Sequence, residues 1–243
     1  MTNSRLVNII ITTTSLLLLV VLLFETTSID MLVQQRLFEP DLHSWLLDRD
    51  VQPWRLLMYD GIKKLFIVMT LSLVWLVASG YKRLTWFADR RKELLVVLLT
   101  MLCVPIVVNF LKWYTDIPCP RDIRSFGGIV PYITLFDHYP SWFHHESSLR
   151  CYPAGHASGG FALMSLFFLF RQKRHRLIGF AFGLCLGWVT GLYKMVIGDH
   201  FLSHTIISML LAWLIACLVA YFILCRPQSD TVSEVNDYEL SID

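Results

Sequence analysis

Six long runs of apolar residues constrain the fold of this 243-residue chain more than any other feature. Each run is nearly free of charge and approaches the roughly 20 residues that a helix needs to cross a bilayer. A helix satisfies its own backbone hydrogen bonds in lipid, so such runs favour a helical bundle. The runs are Val7–Phe24, Leu65–Gly80, Leu94–Leu111, His156–Phe170, Leu177–Val196 and Phe201–Leu224. We therefore predict an all-α, polytopic membrane protein with about six transmembrane helices and a single domain over residues 1–243.

The composition agrees with this prediction and excludes other classes. Hydrophobic residues make up 55% of the chain and charged residues only 16%, whereas average soluble domains are about 25% charged. A disordered chain is excluded, and an ordinary soluble domain does not fit. The net charge of +2 gives no indication of a nucleic-acid partner.

The first apolar run has two interpretations, a cleaved signal peptide or a retained membrane span. Its positively charged region contains only Arg5, and the residues after Phe24 offer no small-residue cleavage site. We expect a retained span.

Basic residues between the runs predict the orientation, because short cytoplasmic loops are enriched in lysine and arginine. Two loops carry them, one with Lys82, Arg83, Arg90, Arg91 and Lys92, and one with Arg171, Lys173, Arg174 and Arg176. Both loops, the N-terminus and a flexible acidic tail over residues 225–243 are therefore predicted to be cytoplasmic. The segments 25–64, 112–155 and 197–203 are left on the outer side. Segment 25–64 is expected to be a helix lying at the interface, with a substrate gate as the alternative.

Three polar clusters lie where the predicted outer loops meet the spans, and ionisable residues in such places are functional candidates. The first motif covers Lys112–Asp122, the second Cys151–Gly160 and the third Tyr193–His204. In this order they resemble the motifs of the type-2 phosphatidic acid phosphatase superfamily, a family of integral membrane lipid phosphatases. That family has a lysine, six residues and Arg-Pro in its first motif, and Pro-Ser-Gly-His in its second.

The chain departs from the family in all three motifs. In the first, Lys112 and Pro120 match, but Cys119 takes the place of the arginine and Arg121 follows two residues later. In the second, the serine is replaced by Ala154. The third family motif is Ser-Arg, five residues, His, three residues, Asp. The chain matches it only at the first histidine and has Tyr193, Lys194, His200 and His204 at the four positions.

The resemblance implies the roles of these residues. It assigns His200 as the nucleophile that forms a phosphohistidine and His156 as the general acid that protonates the leaving oxygen. Histidine suits both roles because it changes protonation state near neutral pH. His204 takes the place of the aspartate that orients the nucleophile. The expected phosphate-binding groups are Lys112, Arg121, Lys194 and the N–H of Gly155 at a helix N-terminus.

Several of these residues have simpler alternatives. Lys112 could extend from its span towards the interface, and the offset of Arg121 changes its reach. Asp199 could orient the nucleophile in place of His204. A metal site of Asp199, His200 and His204 is an alternative to the phosphatase site. The His-Glu-x-x-His pattern of zinc proteases is absent, so no metal or cofactor is expected.

Two of the six cysteines, Cys119 and Cys151, are predicted to lie in the outer loop. An oxidising compartment would let them form a disulfide, with two free thiols as the alternative. Cys103, Cys185 and Cys217 lie within apolar runs and are expected to be packing residues.

The resemblance implies a metal-independent phosphatase that hydrolyses a lipid phosphate or pyrophosphate at the outer membrane face. The basic inner loops suit a bacterial inner membrane with a periplasmic active site. A lipid phosphotransferase of the same family is one alternative, and a non-catalytic transporter or scaffold with an eroded site is another. The expected partners are the bilayer and a lipid phosphate, while the sequence does not predict the oligomeric state.

Overall fold

The computed structural model of the protein describes residues 2–80, 89–144 and 149–225. These residues form a helical bundle, which confirms the predicted all-α membrane fold. The helices are α1 (Asn3–Thr26), α2 (Ile29–Gln35), α3 (Ile62–Trp75), α4 (Arg91–Thr115), α5 (Gly155–Ala162), α6 (Leu166–Leu169), α7 (Lys173–Val196) and α8 (Leu202–Leu224). Two π-helical turns, Arg55–Gly61 and Leu76–Gly80, extend α3 at its ends, and the 3-10 turn Leu163–Ser165 joins α5 to α6.

Five helical segments in the described residues are long and apolar enough to cross a membrane, one fewer than predicted. They are Asn3–Thr26, Arg55–Ala78, Arg91–Asp122, Lys173–Val196 and Leu202–Leu224. The remaining apolar run forms a shorter helical segment, Gly155–Leu169. At 1.5 Å per residue it rises about 22 Å, less than the roughly 30 Å of a hydrocarbon core. It packs between α4, α7 and α8, so contacts with protein rather than the thickness of the bilayer determine its length.

The outer segment 25–64 differs from the single interfacial helix expected for it. It contains the short helix α2 and a hairpin in which β1 (Phe38–Glu39) pairs antiparallel with β2 (Ser44–Trp45). The second span begins at Arg55, ten residues before the predicted Leu65. Pro40 and Pro53 explain the interruption, because proline cannot continue a helix from the preceding turn.

The N-terminus lies at one end of the bundle, together with those residues of the two predicted cytoplasmic loops that the structure describes. Arg90 donates a hydrogen bond to the carbonyl of Leu169 (2.6 Å), and Asn3 donates one to the carbonyl of Cys225 (3.4 Å). Side chains of α1, α4, α6 and α8 form one buried cluster at this end. The predicted orientation places this end in the cytoplasm. Two parts of that prediction lie outside the described residues, namely Lys82 with Arg83 and the tail 226–243.

The tightest part of the core is the crossing of α5 and α7. Gly160 and Gly187 lie opposite each other, and a Cβ on Gly160 would come within 2.6 Å of the Gly187 nitrogen. Small residues at such a crossing let two backbones approach closely, which is how helices in membranes gain packing energy. Phe161 fills the space beside them and is fully buried. This crossing fixes the position of the second motif relative to the third.

Candidate active site

The three motifs meet at the end of the bundle opposite the N-terminus. The N–H of Arg121 in the first motif donates to the carbonyl of Gly198 in the third (3.0 Å). The N–H of Ala154 in the second motif donates to the carbonyl of His204 in the third (3.1 Å). Since buried backbone groups are costly to leave unpaired, these bonds keep the motifs together.

A disulfide between Cys119 and Cys151 links the first motif to the second across 32 residues. A second connection runs beside it, from the N–H of Cys151 to the carbonyl of Ile117 (3.1 Å). The sulfur of Cys119 is therefore engaged at the position where the family has its arginine. It contributes covalent structure there and no positive charge.

Arg121 reaches the site despite its two-residue offset. Its Nη1 lies 2.7 Å from Oδ1 of Asp199, and Nζ of Lys194 donates to Oδ2 of the same carboxylate at 2.7 Å. Lys194 is only 1% exposed, so this carboxylate compensates a buried positive charge. Asp199 is the predicted alternative to His204 for orienting His200. In the structure, however, its two oxygens face these two cations.

Lys112 lies in the last turn of α4 and points at the start of α5. A Cβ on Gly155 would lie 3.1 Å from the Lys112 ammonium nitrogen, so a larger residue here would press on the end of the lysine side chain. No side chain caps the N-terminus of α5, where Ala154 replaces the family serine. The first N–H groups of α5 are consequently available to an anion beside Lys112.

His200 and His204 are both buried, with 3% and 2% of their surface exposed. Their Nδ1 atoms lie 3.4 Å apart, although His200 precedes the first residue of α8, Leu202, and only His204 lies within that helix. His204 also hydrogen bonds to the backbone of Cys151 and contacts the ring of Tyr152 edge-on. One ring nitrogen of each histidine is thus directed at the other.

The surroundings of His200 favour its neutral form. Burial, followed by the positive charge of Lys112, lowers the pKa of His200 well below its usual value. Lys194, His204 and His156 act in the same direction. Because all four residues act on one imidazole, the structure brings the predicted catalytic and phosphate-binding side chains together. At neutral pH His200 therefore retains the lone pair that a nucleophile needs.

The donor atoms near His200 do not make a good metal site. Among the described residues, Cys151 Sγ and the ring nitrogens of His200 and His204 lie within 4.8 Å of one another. The sulfur of Cys151 belongs to the disulfide and offers no thiolate, and the carboxylate of Asp199 faces two cations. Two imidazoles remain, fewer than the three or four protein ligands of ordinary zinc sites.

Asp30 in α2 supports the third motif, although the sequence did not identify it. Its carboxylate accepts a hydrogen bond from the N–H of Ser203 (2.8 Å) and another from the Ser203 hydroxyl. Ser203 lies in the first turn of α8, directly before His204, so Asp30 caps the helix that carries this histidine. Burial raises the pKa of Asp30 to about 6, although the bonds from Ser203 act in the opposite direction. The only sequence signal was one acidic residue in an otherwise uncharged stretch.

The outer hairpin covers the turn between α7 and α8. Gly198 in this turn has a φ of 75°, and a Cβ there would collide with the indole of Trp45. Trp45 packs in turn on Phe126 of the outer loop, with ring centroids 5.2 Å apart. The hairpin thus closes the site from the side of α7 and α8.

A cavity of about 420 Å³ opens beside the motifs, between α3, α4 and α5. Lys112, His156 and Asn109 lie on its wall, together with Lys63 from the first turn of α3. Most of the remaining wall is apolar and includes Leu65, Phe66, Ile67, Met69, Pro105 and Val108. Lys63 belongs to none of the three motifs, so the motifs do not predict a role for it.

Comparisons with known proteins agree with this arrangement. The family model of the PAP2 superfamily matches residues 93–226, more than half of the chain. Among solved structures, the chain resembles the "first transmembrane PAP2 type phosphatidylglycerolphosphate phosphatase from Bacillus subtilis" with a TM-score of 0.55. The match covers 90% of this chain and 98% of that one at 17% identity, which is a likeness of fold. The comparison with curated proteins gives no match.

Proposed function

The chain belongs to the PAP2, or type-2 phosphatidic acid phosphatase, superfamily, and from this premise we propose that it hydrolyses a lipid phosphate or pyrophosphate through a phosphohistidine on His200. The site faces the outer side of the membrane, which is the periplasm if the protein resides in a bacterial inner membrane. No metal takes part in the proposed reaction.

One observation carries the proposal, namely the convergence of the motifs on a single neutral imidazole. Lys112, Lys194, His156 and His204 come from separate parts of the chain and all act on His200. Phosphoryl transfer requires cations around three phosphate oxygens and an aligned nucleophile, and this cluster contains both.

In the first step His200 attacks phosphorus through Nε2. Its Nδ1–H donates to Nδ1 of His204, which serves as a neutral acceptor in place of the family aspartate. The bond between phosphorus and the leaving oxygen breaks as the N–P bond forms. His156 donates its proton to that oxygen, and the negative phosphate beside it favours the protonated imidazole beforehand.

The same residues complete the second step in reverse roles. His156, now neutral, removes a proton from water, and the resulting hydroxide attacks the phosphohistidine. The N–P bond breaks and inorganic phosphate leaves His200 neutral. During both steps Lys112, Arg121, Lys194 and the N–H of Gly155 hold the phosphate oxygens. The incoming phosphate competes with Asp199 for Arg121 and Lys194.

The apolar cavity favours a lipid over a soluble phosphate ester. Its volume of about 420 Å³ is within the range of small-ligand sites. Aliphatic and aromatic side chains make up most of its lining, and Lys112 and His156 are among its few polar groups. A polar head group at the motifs and a hydrocarbon chain along α3 match this division.

Measurement of phosphate release by the purified full-length protein tests the proposal. With lipid phosphates in detergent micelles, His200→Ala should lower kcat/KM by about 10⁴-fold or more, because the covalent route is lost. His156→Ala should lower it by about 10²- to 10⁴-fold, most strongly for poor leaving groups. Lys64→Gln, whose side chain does not line the cavity, is the control and should match the parent.

Two results would count against the proposal. Near-parental turnover in folded His200→Ala protein would exclude this residue as the nucleophile. Absence of phosphate release from every lipid phosphate, with no labelled phosphoenzyme after acid quenching, would favour a non-catalytic protein. Appearance of the label on an acceptor lipid instead of free phosphate would identify a phosphotransferase.

A further inference from the structure

We infer that Lys63 binds the inner phosphate of a lipid diphosphate, so that the protein prefers lipids with two linked phosphates over lipid monophosphates. This inference rests on the proposed function and specifies its substrate class. Lys63 would act as a specificity-determining residue that contacts the leaving group.

The position of Lys63 is the first observation. It lies on the wall of the cavity of about 420 Å³, which Lys112, Asn109 and His156 also line. It is close enough to His156 to act on it electrostatically. None of the described carboxylates forms an ion pair with Lys63, so its charge is not compensated by a neighbouring acid.

The division of cations between two places is the second observation. Arg121 and Lys194 surround Asp199 beside His200, where the transferred phosphate must be bound. Lys63 instead lines the cavity that His156 also lines, and the leaving group must lie there if His156 protonates the leaving oxygen. A neutral alcohol would not compensate the charge of a lysine ammonium, whereas a phosphate would form an ion pair with it.

The step balances without any further reactant. The bond between the terminal phosphorus and the bridging oxygen breaks, and a bond between that phosphorus and His200 forms. His156 transfers its proton to the bridging oxygen, which leaves as part of a lipid monophosphate bound by Lys63. Water then releases inorganic phosphate from His200, and the lipid monophosphate departs along the apolar wall.

A matched pair of substrates tests the inference. Full-length protein in detergent micelles is assayed with farnesyl diphosphate and farnesyl monophosphate, which share one hydrocarbon chain. Lys63→Gln should lower kcat/KM for the diphosphate by about 10-fold, the effect of one hydrogen bond to a charged group, and leave the monophosphate within about twofold. Lys63→Arg should keep the parental ratio of the two substrates. Lys64→Gln is the control for loss of a neighbouring charge and should also keep that ratio.

The outcomes separate this inference from the proposed function. Equal losses on both substrates in Lys63→Gln, or no loss on either, would overturn the role of Lys63 while His200→Ala remains inactive. A loss of the same size in Lys64→Gln would show a general effect of surface charge and would also overturn it. Activity retained by His200→Ala on both substrates would instead refute the proposed function.

Discussion

Helix α3 buries none of its side chains, whereas α4, α5, α7 and α8 bury side chains along much of their length and enclose the proposed catalytic cluster. Because α3 packs loosely, cavities lie between it and the neighbouring helices. Besides the cavity at the motifs, a second apolar cavity of about 760 Å³ lies between α3 and α4 and is lined by Leu71, Trp75 and Met101. Lys63 and the catalytic residues therefore belong to regions of different packing.

The difference between the two regions follows from their tasks. Charges that stabilise a transition state must be held in position before the substrate arrives, and a tightly packed core achieves this. A wall that accepts a hydrocarbon chain needs apolar surface and room, and α3 offers both. The comparison predicts that substitutions in the core impair stability and catalysis together, while substitutions in α3 affect substrate preference.

The largest expected effect is that of Asp199→Ala in the core. This substitution removes the carboxylate that pairs with buried Lys194 and with Arg121, and breaking a buried pair in this way costs about 3–5 kcal/mol. The exposed pair of Asp50 and Arg55 beside α3 has the same 2.7 Å separation, so Asp50→Ala is the matched control and should cost less than about 1 kcal/mol. Thermal unfolding in detergent measures both, and equal losses would contradict the comparison.

Removal of the disulfide should have the next largest effect. Replacing Cys119 and Cys151 together by serine frees a loop of 32 residues, which lowers the free energy of unfolding by about 3.5 kcal/mol in the chain-entropy description. Cys185→Ser, at an exposed free thiol, is the control. Alkylation of both Cys119 and Cys151 in native, unreduced protein would show that the bond is not present.

A pair of alanine substitutions compares the two regions directly. Phe161→Ala leaves a cavity at the crossing of α5 and α7 and should cost about 3 kcal/mol. Leu71 in α3 is 63% exposed, so Leu71→Ala should change the free energy of unfolding by less than about 0.5 kcal/mol. A large loss in Leu71→Ala would mean that α3 packs on the core as tightly as the other helices do.

The last expected effect, which develops only as the pH rises, is a pH dependence at Asp30. Burial raises the pKa of Asp30 to about 6 from the 3.8 of an unfolded chain, so the folded protein binds this proton more tightly. Its contribution to stability is complete below about pH 4 and is lost as the pH rises through about 6. The difference of about 2 in pKa corresponds to about 3 kcal/mol, so Asp30→Asn, which cannot titrate, should gain about 6–12 °C in Tm relative to the parent between pH 4 and 7. Parallel Tm profiles of the two proteins would refute the shift.

The apolar runs predicted the helices well because hydrophobicity is a property of consecutive residues. The boundaries were less accurate where protein replaces lipid as the environment. The short helical segment Gly155–Leu169 is enclosed by other helices, and its length is not that of a bilayer. Segment 25–64 folds into α2, a hairpin and the start of the second span, because Pro40 and Pro53 interrupt the helical pattern.

The motifs predicted the members of the catalytic cluster and not their pairings. The four-residue spacing predicted that His200 and His204 could touch if both lay on one helix, and in the structure they do so although His200 lies in the turn before α8. Spacing could not indicate that Asp199 faces Arg121 and Lys194, because these three side chains come from different turns and a loop. For the same reason, spacing could not indicate the positions of Asp30 and Lys63.

The sequence by itself determined the membrane-embedded helical bundle and the order of the three motifs, and it predicted the two histidines proposed for phosphoryl transfer. Each of these depends on residues close together in the chain. The tertiary structure alone decided that Arg121 pairs with Asp199, that Asp30 caps α8 and that Lys63 lines the same cavity as His156. Those relations are distances between separate helices and loops, and they arise only when the bundle packs.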